Sequence, residues 1–327
     1  MKQETTQRGF TLIELMISLV LFSFAVAGLL SIGVAVTQGY AEQRRALAAE
    51  SAVRVPLDFL ADALRQASPG VSTPANLQDS GTCNTGAINV IDSSSGSDEL
   101  YLMYAAGAVV TSTREIYDNT SQNIDVTNAS QFADDDAVII SNFTNGTLLH
   151  VDTVDTSANT LTFASPCSGL TVPSAGSVAG YPVGSLVIRA QYAHFYIADL
   201  DGIPTLWMDP DAAGTAFQPE PLAEGIEDMQ IAVGIDGDSD GSISENGLGA
   251  GDDEWWFNFA GEAMPSTGSI RAVRITLVAR ATKPLVGNAP LYYRPGAENR
   301  IGSTAPDAYR RRVLRTIVDM RNIGGSP

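Results

Sequence analysis

The sequence predicts an α+β protein: one long N-terminal helix followed by a β-rich head of about 250 residues. Three observations predict it. Residues 10–38 form a run of 29 positions with a single charged side chain, Glu14. Residues 38–67 continue with good helix formers, and Val53, Leu57, Leu60 and Leu64 fall close to helical spacing. Beyond Gly70 the chain changes to short β-branched runs separated by Gly, Ser, Asn, Asp and Pro, with no sustained helical pattern.

Residues 1–9 are polar and carry Lys2 and Arg8. As a helix at ~1.5 Å per residue, the apolar run after them reaches over ~40 Å, more than the ~30 Å hydrocarbon layer of a bilayer. Residues 10–36 therefore read as membrane-spanning. The run is about twice as long as the ~7–15 apolar residues of a secretory signal peptide. An ordinary signal anchor accounts for the length but not for Glu14, because a lone acid at membrane depth costs roughly 2.5–3.5 kcal/mol. Glu14 is therefore expected to have a partner. Pro56 is expected to kink or break the helix, and Ser68-Pro69-Gly70 to end it. The expected organisation is 1–9, a leader; 10–67, the helix; and 68–327, the head. Candidate strands are 100–104, 137–141, 148–154, 160–163, 185–197, 205–208, 229–235, 269–282 and 311–320.

The formal charge is −18, and it is unevenly spread. Residues 1–65 are balanced. Residues 66–270 hold only Arg114 and Arg189 against 28 acids, whereas residues 271–327 carry eleven basic and three acidic groups. Such blocks can fold onto one another, hold cations, or form a solvated acidic surface. A surface this acidic argues against nucleic acid as a partner, since phosphate backbones are bound by clustered Lys and Arg. Arg310, Arg311, Arg312 and Arg315 do cluster, but on a strand they would divide between two faces, with acids of the middle block as their expected partners. Two His and two Cys leave little material for a zinc site or for His-based catalysis. His150 and His194 read as ordinary strand histidines, and Trp255-Trp256-Phe257 as core or interface packing rather than a sugar platform. No nucleophile–base pattern stands out, so the chain reads as non-enzymatic and in need of no cofactor.

One acidic motif is sharper. Asp236, Asp238 and Asp240 followed by Gly241 give D-x-D-x-D-G, the first half of a calcium loop. An EF-hand would place Glu at the twelfth position, where this chain has Gly247; Glu245 is at the tenth, and Asp252, Asp253 and Glu254 come later. A strand rather than a helix is expected before the loop. The motif thus reads either as a Ca²⁺ loop using Asp236, Asp238, Asp240 and Glu245, or as an Asp/Gly turn.

Arg8-Gly9-Phe10-Thr11-Leu12-Ile13-Glu14-Leu15 resembles the class III signal of type IV prepilins and type II secretion pseudopilins. The resemblance implies cleavage by a prepilin peptidase between Gly9 and Phe10 and N-methylation of Phe10. It also implies assembly through Glu14 as the fifth mature residue. Cleavage would create a cationic amine at Phe10 to neutralise Glu14, within one helix or between subunits. It further implies a pilin helix whose transmembrane first half leads into a second half packed on the head. A head in the oxidising periplasm would be expected to join Cys83 and Cys167 in a disulfide, closing a loop worth up to about 4.5 kcal/mol.

Several later runs resemble the PilW-like minor pilins. They are Ala193-His194-Phe195-Tyr196-Ile197-Ala198, Gly202-Ile203-Pro204-Thr205-Leu206-Trp207 and Gly225-Ile226-Glu227-Asp228-Met229-Gln230. Asp236-Gly237-Asp238-Ser239-Asp240-Gly241, Arg274-Ile275-Thr276-Leu277-Val278-Ala279-Arg280, Tyr309-Arg310-Arg311-Arg312-Val313-Leu314 and Val318-Asp319-Met320-Arg321-Asn322 complete the set. No family resemblance is read in residues 71–184, and the resemblance covers the N-terminal helix and about residues 185–323. The resemblance implies a minor pilin that helps initiate type IV pilus assembly and enters the fibre near its tip. Its implied partners are other minor and major pilins, the prepilin peptidase, the inner-membrane assembly machinery and the membrane itself. Its implied location is the inner membrane of a Gram-negative bacterium, then the pilus at the cell surface. A J-type minor pseudopilin of type II secretion and a pilus-tip adhesin are the alternatives.

Overall fold

The computed structural model describes residues 11–71, 77–80, 86–118, 121–165, 174–175, 178–212, 218–238, 240–244, 254–262, 269–285 and 290–320. Gly9, Phe10, Cys83, Cys167 and Glu245 lie outside the described residues, so the leader junction and the expected disulfide do too. The chain divides into two compact units, Met1–Ala48 and Ala49–Pro327.

Helix α1 (Leu12–Arg65) contributes to both. In the first unit, Leu12–Val34 has a mean hydropathy of 2.5 and is long and apolar enough to cross a membrane. Its large side chains are exposed all round, from Leu12, Phe22 and Phe24 to Leu30 and Val34. In the second unit the same helix becomes one-sided. Val53, Leu57, Leu60, Ala61 and Leu64 are buried while Arg54, Asp58, Asp62 and Arg65 are exposed. Pro56 does not break the helix. A proline inside a helix costs ~3 kcal/mol, but Pro56 lies on the buried stripe between Val53 and Leu57. Burial of each such large apolar neighbour contributes roughly 1.5–3 kcal/mol, enough to hold the helix through the defect. The helix ends as expected just before Ser68-Pro69-Gly70, and its exit is pinned to the sheet by Ser68 N–H donating to Met103 O and Ala105 N–H to Gln66 O.

The strands are β1 (Leu77–Asp79), β2 (Ile88–Ile91), β3 (Glu99–Ser112), β4 (Asn123–Asp125), β5 (Ala137–Ser141), β6 (Gly146–Asp155), β7 (Thr160–Phe163), β8 (Ser174–Ala175) and β9 (Val178–Ala179). They continue with β10 (Leu186–Leu200), β11 (Ile203–Asp209), β12 (Glu220–Glu224), β13 (Ile226–Asp236), β14 (Trp255–Trp256), β15 (Ser269–Arg280) and β16 (Arg311–Asp319). Strand β10 is the hub of a ten-stranded sheet. One of its edges pairs antiparallel with β3; the other pairs with β5 at residues 186–190 and with β11 at residues 194–200. The β10–β11 hairpin closes with Asp201-Gly202, both at positive φ (51° and 79°), as a two-residue type I′ turn requires. A second sheet has the order β14-β13-β15-β16.

The main core lies among the second half of α1, one face of the large sheet and one face of the small sheet. It groups Leu60 and Leu64 with Leu100, Leu102, Phe195 and Leu206 from the first sheet, and with Met229, Ile231, Ile275 and Leu277 from the second. Phe59 packs edge-on against Phe195 at 6.2 Å between ring centroids. A separate core, including Ile124, Phe132, Ile140, Leu149, Leu161 and Tyr181, fills the β4–β7 region. It lies mostly within residues 71–184, outside the runs that carry the family resemblance.

Replacing Leu60 by Ala is expected to lower the stability of the detergent-solubilised chain by about 2–5 kcal/mol in denaturant unfolding. Leu30→Ala, on the exposed apolar segment, is expected to change it by less than about 0.5 kcal/mol. Equal effects would contradict this division of the helix.

Candidate functional site

Glu14 sits in the first turn of α1, and Thr11 is the residue that caps it. The Thr11 N–H and Oγ1–H donate to Glu14 Oε2 at 3.1 and 3.0 Å, and the Glu14 N–H donates to Thr11 Oγ1 at 3.3 Å. This is a reciprocal capping box, with Thr at the N-cap and Glu at the third helical position. Thr11-Leu12-Ile13-Glu14 carries that signature in plain view, and the reading of Glu14 as an isolated acid missed it. The helix thus gives the carboxylate a local partner and places its negative charge at the positive end of the helix dipole. These bonds use Oε2; Oε1 accepts no hydrogen bond among the described residues.

The Asp loop comes directly after β13, as a strand-led loop should. One carboxylate oxygen from each of Asp236, Asp238 and Asp240 lies within 4.8 Å of the others. Asp236 is buried, and its Oδ2 accepts from Gly241 N–H at 3.1 Å and from Arg271 Nε at 3.0 Å. Asp238 Oδ1 accepts from Asp240 N–H, and Asp240 Oδ1 from Ser242 N–H and Oγ. Glu254 braces the loop, its Oε1 accepting from Gly237 N–H at 2.8 Å and its Oε2 from Ser244 N–H at 2.9 Å. The Ser244 bond leads the effects that hold the Glu254 carboxyl below its usual range; the Ser242 side chain does the same for Asp240.

The acidic and basic blocks meet in the small sheet. Asp228, fully buried, is held by Arg294 at 2.9 Å and Arg300 at 2.6 Å. Arg311 pairs with Glu227 at 2.9 Å and with Asp307, while Arg274 and Arg315 converge on Glu298 at 2.7 and 2.9 Å. Arg310 lies over Tyr292 and Arg280 over Tyr309. Of the clustered arginines, Arg311 is therefore ion-paired with Glu227 of the middle block as expected, whereas Arg315 meets Glu298, an acid of the C-terminal block itself. The Gly225-Ile226-Glu227-Asp228 run is explained by the same geometry. Gly225 has φ +81°, and a Cβ there would stand 2.8 Å from Arg280 O. Ile226 enters the core, and the two acids receive the C-terminal arginines. Trp255 and Phe257 are buried, with Arg274 over the Trp255 ring. The histidines pair with carboxylates, His150 with Asp79 at 2.9 Å and His194 with Glu99 at 2.8 Å.

A buried carboxylate outside the sequence reading joins this cluster. Asp98 accepts from Ser93 N–H at 2.9 Å and from Ile231 N–H at 2.7 Å, tying the loop before β3 onto β13. Nothing in the local sequence Ser97-Asp98-Glu99 distinguishes it from a surface turn.

Residues 194–322 match the family described as Type IV Pilus-assembly protein W, and residues 5–30 match the prokaryotic N-terminal methylation motif. Among solved structures, a type IV-like pilin from Thermus thermophilus is similar at 11% identity and a TM-score of 0.36, over 84% of this chain and 97% of that one. No curated protein matches the chain. The chain thus joins a match to the methylation motif at its start with an apolar N-terminal helix and a β-rich head. By these matches it is similar to type IV pilins, and over residues 194–322 it is PilW-like.

Burial, above all, pushes the Asp98 carboxyl up to about 7, with the charges of Asp92 and Asp228 adding to the rise and the two backbone N–H groups opposing it. The unfolded carboxyl titrates near ~3.9, so the folded state holds more protons between the two values. This group's contribution to stability is full below about pH 4 and is lost as pH rises through about 7. Asp98→Asn removes the titration. The stability of the parent chain relative to that variant is expected to be greater at about pH 5 than at about pH 7.5 in urea unfolding. A pH-independent difference would refute the assignment.

Proposed function

We propose that this protein is a minor pilin that enters a type IV pilus through its N-terminal helix, helps to initiate assembly and sits near the fibre tip. The observation that carries the reading is the methylation motif over residues 5–30 set directly on the apolar helix segment Leu12–Val34. A helix that is apolar on every side needs a non-aqueous environment throughout its working life. The bilayer supplies it before assembly, and the packed helices of neighbouring pilins supply it afterwards. Cleavage after Gly9 frees the Phe10 amine. The Glu14 carboxylate, already held by Thr11, receives that amine from its own or an adjacent subunit and sets the axial register. The head contributes surface for other minor pilins. Specific packing is the whole of the work, and no bond is made or broken by the protein itself.

The test separates processing from assembly. In Glu14→Ala, mass spectrometry of the mature chain is expected to show an N-methylated Phe10 terminus as in the parent. The amount recovered in sheared fibres is expected to fall by about tenfold or more, as for the loss of one member of a desolvated ion pair. Undiminished incorporation, or a mature terminus at any other residue, would overturn the proposal.

A further inference from the structure

The geometry points to a Ca²⁺ site in the loop after β13, formed by the carboxylates of Asp236, Asp238 and Asp240. Acidic turns are common without metal, and clustering alone does not make a site. The deciding feature is Asp236. Its side chain is 1% exposed, and its Oδ1 is shut off from solvent with no hydrogen-bond partner among the described residues. Arg271 Nε and Gly241 N–H both engage Oδ2 instead. A buried carboxylate oxygen that no described donor reaches carries a desolvation cost, which a cation in the loop would offset.

The spacing suits that cation. Oxygens bound to one Ca²⁺ at about 2.3–2.6 Å can be no more than about 5 Å apart. The three carboxylates keep one oxygen each within 4.8 Å of one another. The loop is also formed in advance. Backbone N–H groups hold one oxygen each of Asp238 and Asp240, leaving the second oxygen of both exposed side chains for a ligand. Glu254 clamps Gly237 and Ser244 at the two ends of the turn. Against the four carboxylates of Asp236, Asp238, Asp240 and Glu254 stands the Arg271 guanidinium, paired with Asp236, so the described loop keeps a net negative charge. Every donor in the set is a carboxylate oxygen, which favours a hard cation over one that seeks nitrogen or sulfur. Ca²⁺ tolerates the irregular, partly hydrated geometry of such a turn, whereas Mg²⁺ demands near-ideal octahedral ligation.

The experiment uses the full chain in detergent, stripped with chelator and titrated with CaCl₂ by calorimetry, with parallel thermal melts. Saturable binding is expected at a Kd of about 0.1–1 mM, in the range of extracellular calcium modules. The melting temperature is expected to rise by about 3 °C or more at 10 mM Ca²⁺, and by less with Mg²⁺. The double variant Asp238→Asn/Asp240→Asn changes two exposed side chains and keeps their amide oxygens for the backbone. It is expected to melt like the chelated parent and to bind Ca²⁺ at least about tenfold more weakly. If it does not fold, Asp240→Asn alone serves the same comparison. Absence of saturable heat and of a melting shift in the parent, or unweakened binding by the variant, would overturn the site.

Discussion

One helix has to satisfy two different surroundings along its length, and the rest of the protein depends on that constraint. Over Leu12–Val34 it offers apolar side chains in every direction, which water penalises and lipid or other apolar helices accept. Over its last turns it narrows to the stripe of Val53, Leu57, Leu60 and Leu64, and that stripe seeds the main core of the head. The hydrogen-bonded backbone is the same in both parts. Side-chain pattern alone changes the preferred environment. The interruption at Pro56 is tolerated because it falls on the stripe, where the sheets press on the helix, and not on an unsupported turn.

Around that core, charge does a second job. The long acidic block and the short basic block are partners in good part, since Arg271, Arg294, Arg300 and Arg311 reach back to Asp236, Asp228 and Glu227. Pairs this far from water gain little net stability over apolar contacts of the same shape, but removing one member leaves the other stranded. They therefore act chiefly as registration devices, joining segments distant in sequence at one position only. The PilW-like runs coincide with these positions. Gly225 permits the approach of Arg280 O, Asp228 takes two arginines, and Phe195 meets Phe59 from the helix.

The reading of strands succeeded where side chains alone define the element and fell short where a partner does. Residues 137–141 and 160–163 are rich in β-branched or aromatic side chains, and both strands lie where that composition places them. Strand β3 runs on through Ala105-Ala106-Gly107-Ala108, a poor strand sequence, because β10 pairs with it on both sides of a bulge there, at Leu100–Ala105 and again at Val110–Ser112. Short elements such as β1, β12 and β14 exist only through their neighbours. Among the candidate site residues, the grouping of Asp236, Asp238 and Asp240 was legible from their spacing in a single turn. The burial of Asp236, the bracing by Glu254 and the paired use of Thr11 were not drawn from it.

By itself, the sequence determined the long helix, its apolar first half, the lone acid at its start and the β-rich character of the head. All of these depend on composition and short-range periodicity, which each residue carries wherever it is placed. Only the tertiary structure decided which acids meet which arginines, that Asp98 is buried rather than solvated, and that one oxygen of Asp236 has no donor among the described residues. Those outcomes depend on residues more than thirty positions apart being brought within 3 Å, as with Arg271 and Asp236, and no local pattern encodes such a distance.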